Sequence, residues 1–155
     1  MIRIEIPGRE TLAIEHVVLD YNGTIAVDGL VLDELKPRLQ ALLKEVSVTV
    51  LTADTYGTVR AECEPLGLAV ETFPREGAAA CKAEIVKRLR GGRACFGNGF
   101  NDMAMFDEAE LSVAIMEAEG VCAALLAHAD VVVRSAAEAL DLLLKPDRLR
   151  ATLRT

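Results

Sequence analysis

Apolar positions in this chain recur at two spacings that alternate along its length. Ile2, Ile4 and Ile6 are separated by the charged Arg3 and Glu5, the two-residue rhythm of a strand. Pro7-Gly8-Arg9-Glu10 reads as a turn, so residues 11–15 can pair back and complete an N-terminal hairpin over 1–15. Val17, Val18 and Leu19 then make a continuous apolar run that stops at Asp20, as in a strand covered on both faces. Asn22-Gly23 follows, a pair that tolerates the positive φ angles of a sharp turn. Asp28-Gly29, set between apolar residues, is a hairpin signal and predicts a small flap over 24–32.

Helical spacing takes over at Leu35, Leu39, Leu42 and Leu43, with Asp33 near the start and Pro37 in the first turn, where proline is tolerated. Residues 46–51 predict a second core strand, which ends at Thr52-Ala53-Asp54. A helix over 55–64 is closed by Pro65-Leu66-Gly67, and a strand over 68–73 and a helix over 77–90 follow. Gly91-Gly92 breaks that helix, and a short strand over 94–96 enters Gly97-Asn98-Gly99. The remainder reads as a helix over 101–109, a strand over 111–116, a helix over 120–127 and a strand over 130–133. A last helix over 136–144 is capped by Ser135 and ended by Pro146. Strands alternating with helices imply βαβ units. The expected fold is α/β, a three-layer Rossmann-like parallel sheet with helices on both faces. No repeat or linker interrupts it, so 1–155 are expected to form a single domain.

Hydrophobic residues make up 52% of the chain, aromatics only 4%, and Trp is absent, which suits a helix-covered sheet better than an aromatic-lined binding module. The net charge of −7 argues against a nucleic-acid or anionic-membrane surface, since both need clustered Lys and Arg. No run approaches the roughly 18 apolar residues of a membrane span, and the first residues lack a signal-peptide pattern, so a cytoplasmic location is expected. Cys63, Cys81, Cys95 and Cys122 show no CxxC or zinc-type spacing and read as reduced, mostly buried small hydrophobes. His16 and His128 have no partner at metal-ligand spacing and read as surface or satisfied core histidines. Lys145, Arg148, Arg150 and Arg154 read as a solvated helix end, with docking on the acidic body of a neighbour as the alternative.

Chemistry gathers at the predicted strand ends. Asp20 ends one strand, Thr52 and Asp54 another, Asn98 and Asp102 a third, and Lys82 lies near the start of a helix. In open parallel sheets these carboxyl ends form one crevice. A carboxylate, a hydroxyl, a lysine and a second acid together suit phosphoryl transfer, with Asp20 attacking phosphorus to form an aspartyl-phosphate. A divalent cation is needed to neutralise the phosphate oxygens. Mg²⁺ prefers oxygen ligands, for which Asp20, the Asn22 carbonyl, Asn98 and Asp102 are candidates. Asp54 is more credible as a helix cap than as a catalyst.

Asp20-Tyr21-Asn22-Gly23-Thr24, Leu51-Thr52-Ala53-Asp54, Lys82 and Gly97-Asn98-Gly99-Phe100-Asn101-Asp102 resemble the four ordered motifs of the haloacid-dehalogenase-like (HAD) hydrolase superfamily. The best match is to the phosphorylation domain of P-type ATPases, with its DKTGT, TGD and GDGxND signatures. Residues 80–89 are similar to the lysine-bearing helix of those pumps. Without a membrane span, the chain resembles a cap-less, soluble P-type-ATPase-like member, over residues 16–134. The resemblance implies that Asp20 is the nucleophile and that Gly23, Thr52, Ala53 and Lys82 hold the transferred phosphoryl group. It also places Asn98 and Asp102 at the metal-site acids of a Mg²⁺ enzyme. Asn22 stands where the family has a general acid/base Asp or, in the pumps, a Thr.

The activity so implied is a Mg²⁺-dependent phosphohydrolase, a phosphatase acting on a phosphorylated small molecule or phosphoprotein. Two departures qualify it. The Asn22 amide cannot protonate a leaving alkoxide or activate water, and Asn98 removes one negative charge from the metal site. A slow enzyme is therefore expected, with a catalytically weak or inactive binding or regulatory module as the alternative. Asp28 on the flap is a candidate substitute for directing water. The intervals between motifs leave no room for a cap domain, and an uncapped site favours a homo-oligomer or a large substrate to exclude water.

Overall fold

The computed structural model describes residues 1–53 and 57–155, so Asp54 lies outside the described residues. Strand β1 (Ile2–Ile4) pairs antiparallel with the start of β2 (Leu12–Asp20), Ile2 opposite Ile14 and Ile4 opposite Leu12. The second arm of the expected hairpin and the strand that ends at Asp20 are thus one nine-residue element. Exposed Glu15 is an extra residue in the ladder of β2, which shifts register there as the strand leaves β1 and becomes the centre of the sheet.

The flap is β3 (Ala26–Val27) paired with β4 (Leu30–Val31), joined by Asp28 at φ 52° and Gly29 at φ 83°. Both angles are positive, as a two-residue hairpin turn of the right twist requires. A 3-10 turn over Asp33–Leu35 leads into α1 (Lys36–Leu42). Next come β5 (Ser47–Thr52), α2 (Val59–Cys63), β6 (Ala69–Thr72), α3 (Ala78–Arg88) and β7 (Gly92–Gly97). The chain continues through α4 (Met103–Phe106), β8 (Leu111–Ile115), β9 (Val131–Val133), α5 (Ala136–Leu144) and α6 (Pro146–Leu153).

The main sheet has the order β6-β5-β2-β7-β8-β9, and every neighbouring pair along it is parallel. The chain steps outward from β2 through β5 to β6, then returns to the other side of β2 and steps outward again from β7. That reversal opens a crevice beyond the carboxyl ends of β2 and β7. Side chains alternate across the sheet: Val17, Leu19, Val50 and Phe96 pack with α1, α2, α5 and α6 on one face. Val18, Leu51, Cys95 and Ala114 pack with α3 and α4 on the other. Helices therefore cover both faces, as the pattern of strands and helices predicts. No helix among the described residues is long and apolar enough to cross a membrane.

Two expectations change at the C-terminal side. The helix expected over 120–127 is a 3-10 segment, Ala123–His128, because Gly120 turns the chain at φ 81° and the backbone is still extended at Cys122. Pro146 ends α5 and also opens α6, where its missing N–H costs no hydrogen bond. The basic tail is thus a docked helix. Leu149 and Leu153 are buried, while Lys145 and Arg148 join Arg38 around the buried Asp141 carboxylate. Ser135 caps α5 by accepting the Glu138 N–H. His16 is structural, bonded to Ser47 Oγ at 2.7 Å and to the Arg90 carbonyl at 2.8 Å.

Candidate active site

Asp20 occupies the last position of the central strand and shares the parity of Val18, which points to the face covered by α3. Lys82 sits in the second turn of α3 and reaches across to it. The lysine is only 2% exposed, and its three ammonium protons have three acceptors: Asp20 Oδ1 at 2.6 Å, Asp102 Oδ1 at 2.6 Å and Asn101 Oδ1 at 3.1 Å. Asp102 is fully buried, and its other oxygen accepts the backbone N–H groups of Asn98 (3.0 Å) and Gly99 (2.9 Å). A Cβ on Gly97 would run into this carboxylate, so the glycine lets the end of β7 close over it.

Thr24 supplies a contact that the motif reading did not assign. Its buried hydroxyl lies 3.0 Å from Asp20 Oδ2 and 3.3 Å from Asn98 Oδ1, and its single proton can serve only one of these oxygens at a time. The side-chain amide of Asn98 is oriented by donating to the Gly120 carbonyl at 3.0 Å. Gly23 sits beneath it at φ 78°, and a Cβ there would collide with the Asn98 amide. Gly23→Ala is expected to lower stability by about 1–3 kcal/mol in denaturant titration. Gly77→Ala, at a similar positive φ but in open space, should lose less, and the difference isolates the collision with Asn98.

These groups surround a cavity of about 240 Å³. Asp20, Asn22, Thr52, Ala53, Lys82 and Asn98 of the expected site residues line it, together with Phe73, Gly99 and Asn101. Gly23 and Asp102 lie behind the wall. Asp28 is not part of it: the residue is exposed at the flap tip, and the neighbouring Gly29 carbonyl is pinned by the Tyr21 hydroxyl at 2.8 Å and the Thr58 hydroxyl at 2.5 Å. Asn101 was legible as part of the Gly97–Asp102 motif. Phe73 carried no signal in the sequence.

Two buried carboxylates and one ammonium leave this cluster with a net charge of −1. Burial disfavours the Lys82 ammonium, but the charges of Asp20 and Asp102 outweigh it and hold the group above the ordinary lysine value. Asp102 is pushed up from 3.8 to about 6, by burial first and the Asp20 charge second, against the pull of Lys82. An acid that binds its proton more tightly when folded stabilises the fold most below its unfolded pKa, and that contribution is lost as pH rises through the folded value. The melting temperature of the metal-free protein should therefore carry a component that falls between about pH 4 and pH 6. Subtracting the profile of Asp102→Asn isolates it.

The donors fit a hard cation. Asp20 Oδ2 and Asn98 Oδ1 converge on one hydroxyl, and the buried Asn22 Oδ1 has no hydrogen-bond partner. These are oxygen ligands of the kind Mg²⁺ takes, and the cluster's excess negative charge favours a cation. Among the described residues there is no group of three His, Cys, Asp or Glu side chains placed to hold a metal. An ion here would rest on the Asp20 carboxylate, amide oxygens and water.

No family model matches the chain. It is 40% identical over 58 residues to an uncharacterized protein of Methanocaldococcus jannaschii, covering 37% of this chain and 62% of that protein. A second uncharacterized protein of the same organism is 44% identical over 39 residues, 25% of this chain and 89% of that one. The chain thus spans less than two thirds of the first of these relatives. Among solved structures it is similar to 3-deoxy-D-manno-octulosonate 8-phosphate phosphatase from Moraxella catarrhalis, in complex with magnesium ion, phosphate ion and KDO. The TM-score is 0.71 and identity 17%, over 91% of this chain and 94% of that one. The cobalt-bound deoxy-D-mannose-octulosonate 8-phosphate phosphatase from Haemophilus influenzae gives 0.71 and 15%, over 92% and 94%. A HAD-family hydrolase candidate from Streptomyces avermitilis gives 0.65 and 22%, over 86% and 87%. With a parallel sheet that switches direction at Asp20 and matches these structures over nearly its whole length, the chain has the fold of the HAD-like hydrolases.

Proposed function

We infer that this chain is a Mg²⁺-dependent HAD-type phosphatase that works through an aspartyl-phosphate on Asp20 and turns over slowly. The observation that carries this reading is the bridge from Lys82 to Asp20 at the wall of a small polar cavity that Thr52 also lines. The phosphatases of similar fold, one solved with magnesium and phosphate and another with cobalt, support it. In the proposed reaction a carboxylate oxygen of Asp20 attacks phosphorus, an acyl-phosphate bond forms, and the bond to the leaving oxygen breaks. Lys82 stays charged throughout and faces the phosphoryl oxygens alongside the Thr52 hydroxyl. Thr24 and Lys82 each hold one Asp20 oxygen, which fixes the carboxylate for attack. Mg²⁺, held by Asp20, Asn98 and the Asn22 carbonyl, would neutralise phosphate charge and keep the anionic nucleophile from repelling its substrate.

The leaving oxygen must draw its proton from solvent, because the side chain at position 22 is an amide. The same lack slows attack of water on the acyl-phosphate, the step that releases phosphate and restores Asp20. That substitution, with Asn98, also favours a second reading, a regulatory module that keeps the phosphoryl site and turns over negligibly. Intact mass after incubation with Mg²⁺ and acetyl phosphate tests both. A gain of one phosphoryl group (~80 Da) in the native protein and none in Asp20→Asn supports the aspartyl nucleophile. No adduct and no phosphate release would leave the non-catalytic module.

A further inference from the structure

Among the described residues, the aromatic side chains are divided between the core and one mouth. Tyr21, Phe96 and Phe106 are buried, at 1%, 0% and 2% exposure. Phe73 lines the candidate active site, and Phe100, 68% exposed, stands between Gly99 and Asn101, which line it too. Phe100 is the most exposed of the large apolar side chains among the described residues, ahead of Leu30 at 58%. Phe73 is also a wall of a second concavity, a groove of about 510 Å³ between the edge strand β6 and α3, where Cys81 and Ile85 continue its apolar surface. The two hollows share that ring as a wall.

The phosphoryl pocket, at about 240 Å³, must already take a phosphoryl group and a hydrated ion. The organic part of a phosphate ester then lies outside it. We propose that the preferred substrates are phosphomonoesters with an apolar, preferably aromatic, leaving group held by Phe73 and Phe100 over the groove between β6 and α3. This rests on the phosphatase reading above. Of the groove's charged side chains, Glu71 and Arg88 pair with each other at 3.6 Å and Glu84 is exposed, while Phe73, Ala80, Cys81 and Ile85 supply its apolar surface. A polyhydroxylated leaving group would bring hydroxyls against that surface without partners, a cost that an aromatic ring avoids.

Binding of phosphonates tests the proposal without requiring turnover. In the presence of Mg²⁺, benzylphosphonate is expected to bind the native protein about tenfold or more tighter than methylphosphonate, by calorimetry or by competition with inorganic phosphate. Phe100→Ala should reduce that ratio about fivefold while leaving methylphosphonate binding unchanged, and Phe73→Ala should reduce it by a similar factor, with Phe73→Leu retaining part of it. Phe100 is solvent-exposed, so its replacement does not threaten the fold. Equal binding of the two phosphonates would overturn the proposal and leave the phosphatase reading standing. Binding of neither, with no phosphoenzyme from acetyl phosphate, would overturn both. A change in molecular mass on Phe100→Ala, by light scattering, would assign that ring to contact between copies of the chain and overturn its role here.

Discussion

Lys82→Met is expected to destabilise the protein by roughly 3–5 kcal/mol and to abolish phosphoenzyme formation. The cost follows from the pair it leaves behind. Asp20 and Asp102 are 8% and 0% exposed, and each accepts a hydrogen bond from the same ammonium at 2.6 Å. Removing one partner of a buried ion pair strands the other without water or counter-charge. Here it strands two, and one carboxyl group must take up a proton to remain buried. Proton uptake then favours the fold at low pH, so the variant should recover part of its loss as pH is lowered towards 5. Denaturant titrations at pH 5 and pH 8 read this directly. A loss of about 1 kcal/mol, equal at both pH values, would show that Lys82 contributes packing alone. Loss of the acetyl-phosphate adduct under conditions where the variant is still folded separates its chemical role from its structural one.

Asp20, Thr52, Lys82 and Asn98 were legible in the sequence because each sits at or near the end of an element whose hydrophobic period is clear. Once strands and helices alternate, strand ends must share an edge, and the polar residues there meet. What the pattern did not carry is which side chains the partners occupy. Asp102 reads like an open metal ligand, but the close approach of Gly97, Asn98 and Gly99 encloses it, and both of its oxygens are taken by Lys82 and by backbone amides. Thr24 stands in the Asp20–Thr24 motif without a role assigned to it there, and the Gly23 turn folds it back to touch Asp20 and Asn98. Elements were misjudged where a single glycine or proline decides. Gly120 converts an expected helix into a 3-10 segment, and Pro146 begins a helix as well as ending one. β2 runs through its bulge as one strand because pairing with β1 and then with its parallel neighbours satisfies its backbone along the whole length.

Asn22→Asp should raise steady-state phosphate release by roughly 10²–10⁴-fold, the usual worth of a positioned general acid/base. The substitution is nearly isosteric, and the residue already lines the cavity with an oxygen that is buried and unpartnered, so a carboxyl group is accommodated without moving the wall. The new carboxyl group lines the same cavity as Asp20, where it can donate a proton to an alkoxide and then accept one from water. Acetyl phosphate separates the two half-reactions. Its leaving carboxylate needs little protonation, so phosphorylation should proceed in both proteins, and only hydrolysis should accelerate. The native protein should then accumulate the ~80 Da adduct while the variant shows little of it and more free phosphate. Adding Asp20→Asn must remove the gain, since the acid has no phosphoenzyme to act on. An adduct equally long-lived in native protein and variant would place the slow step elsewhere. Asn98, which deprives the cation of a second carboxylate, is then the residue to restore, because a loosely held ion limits both half-reactions together and no general base can compensate for it.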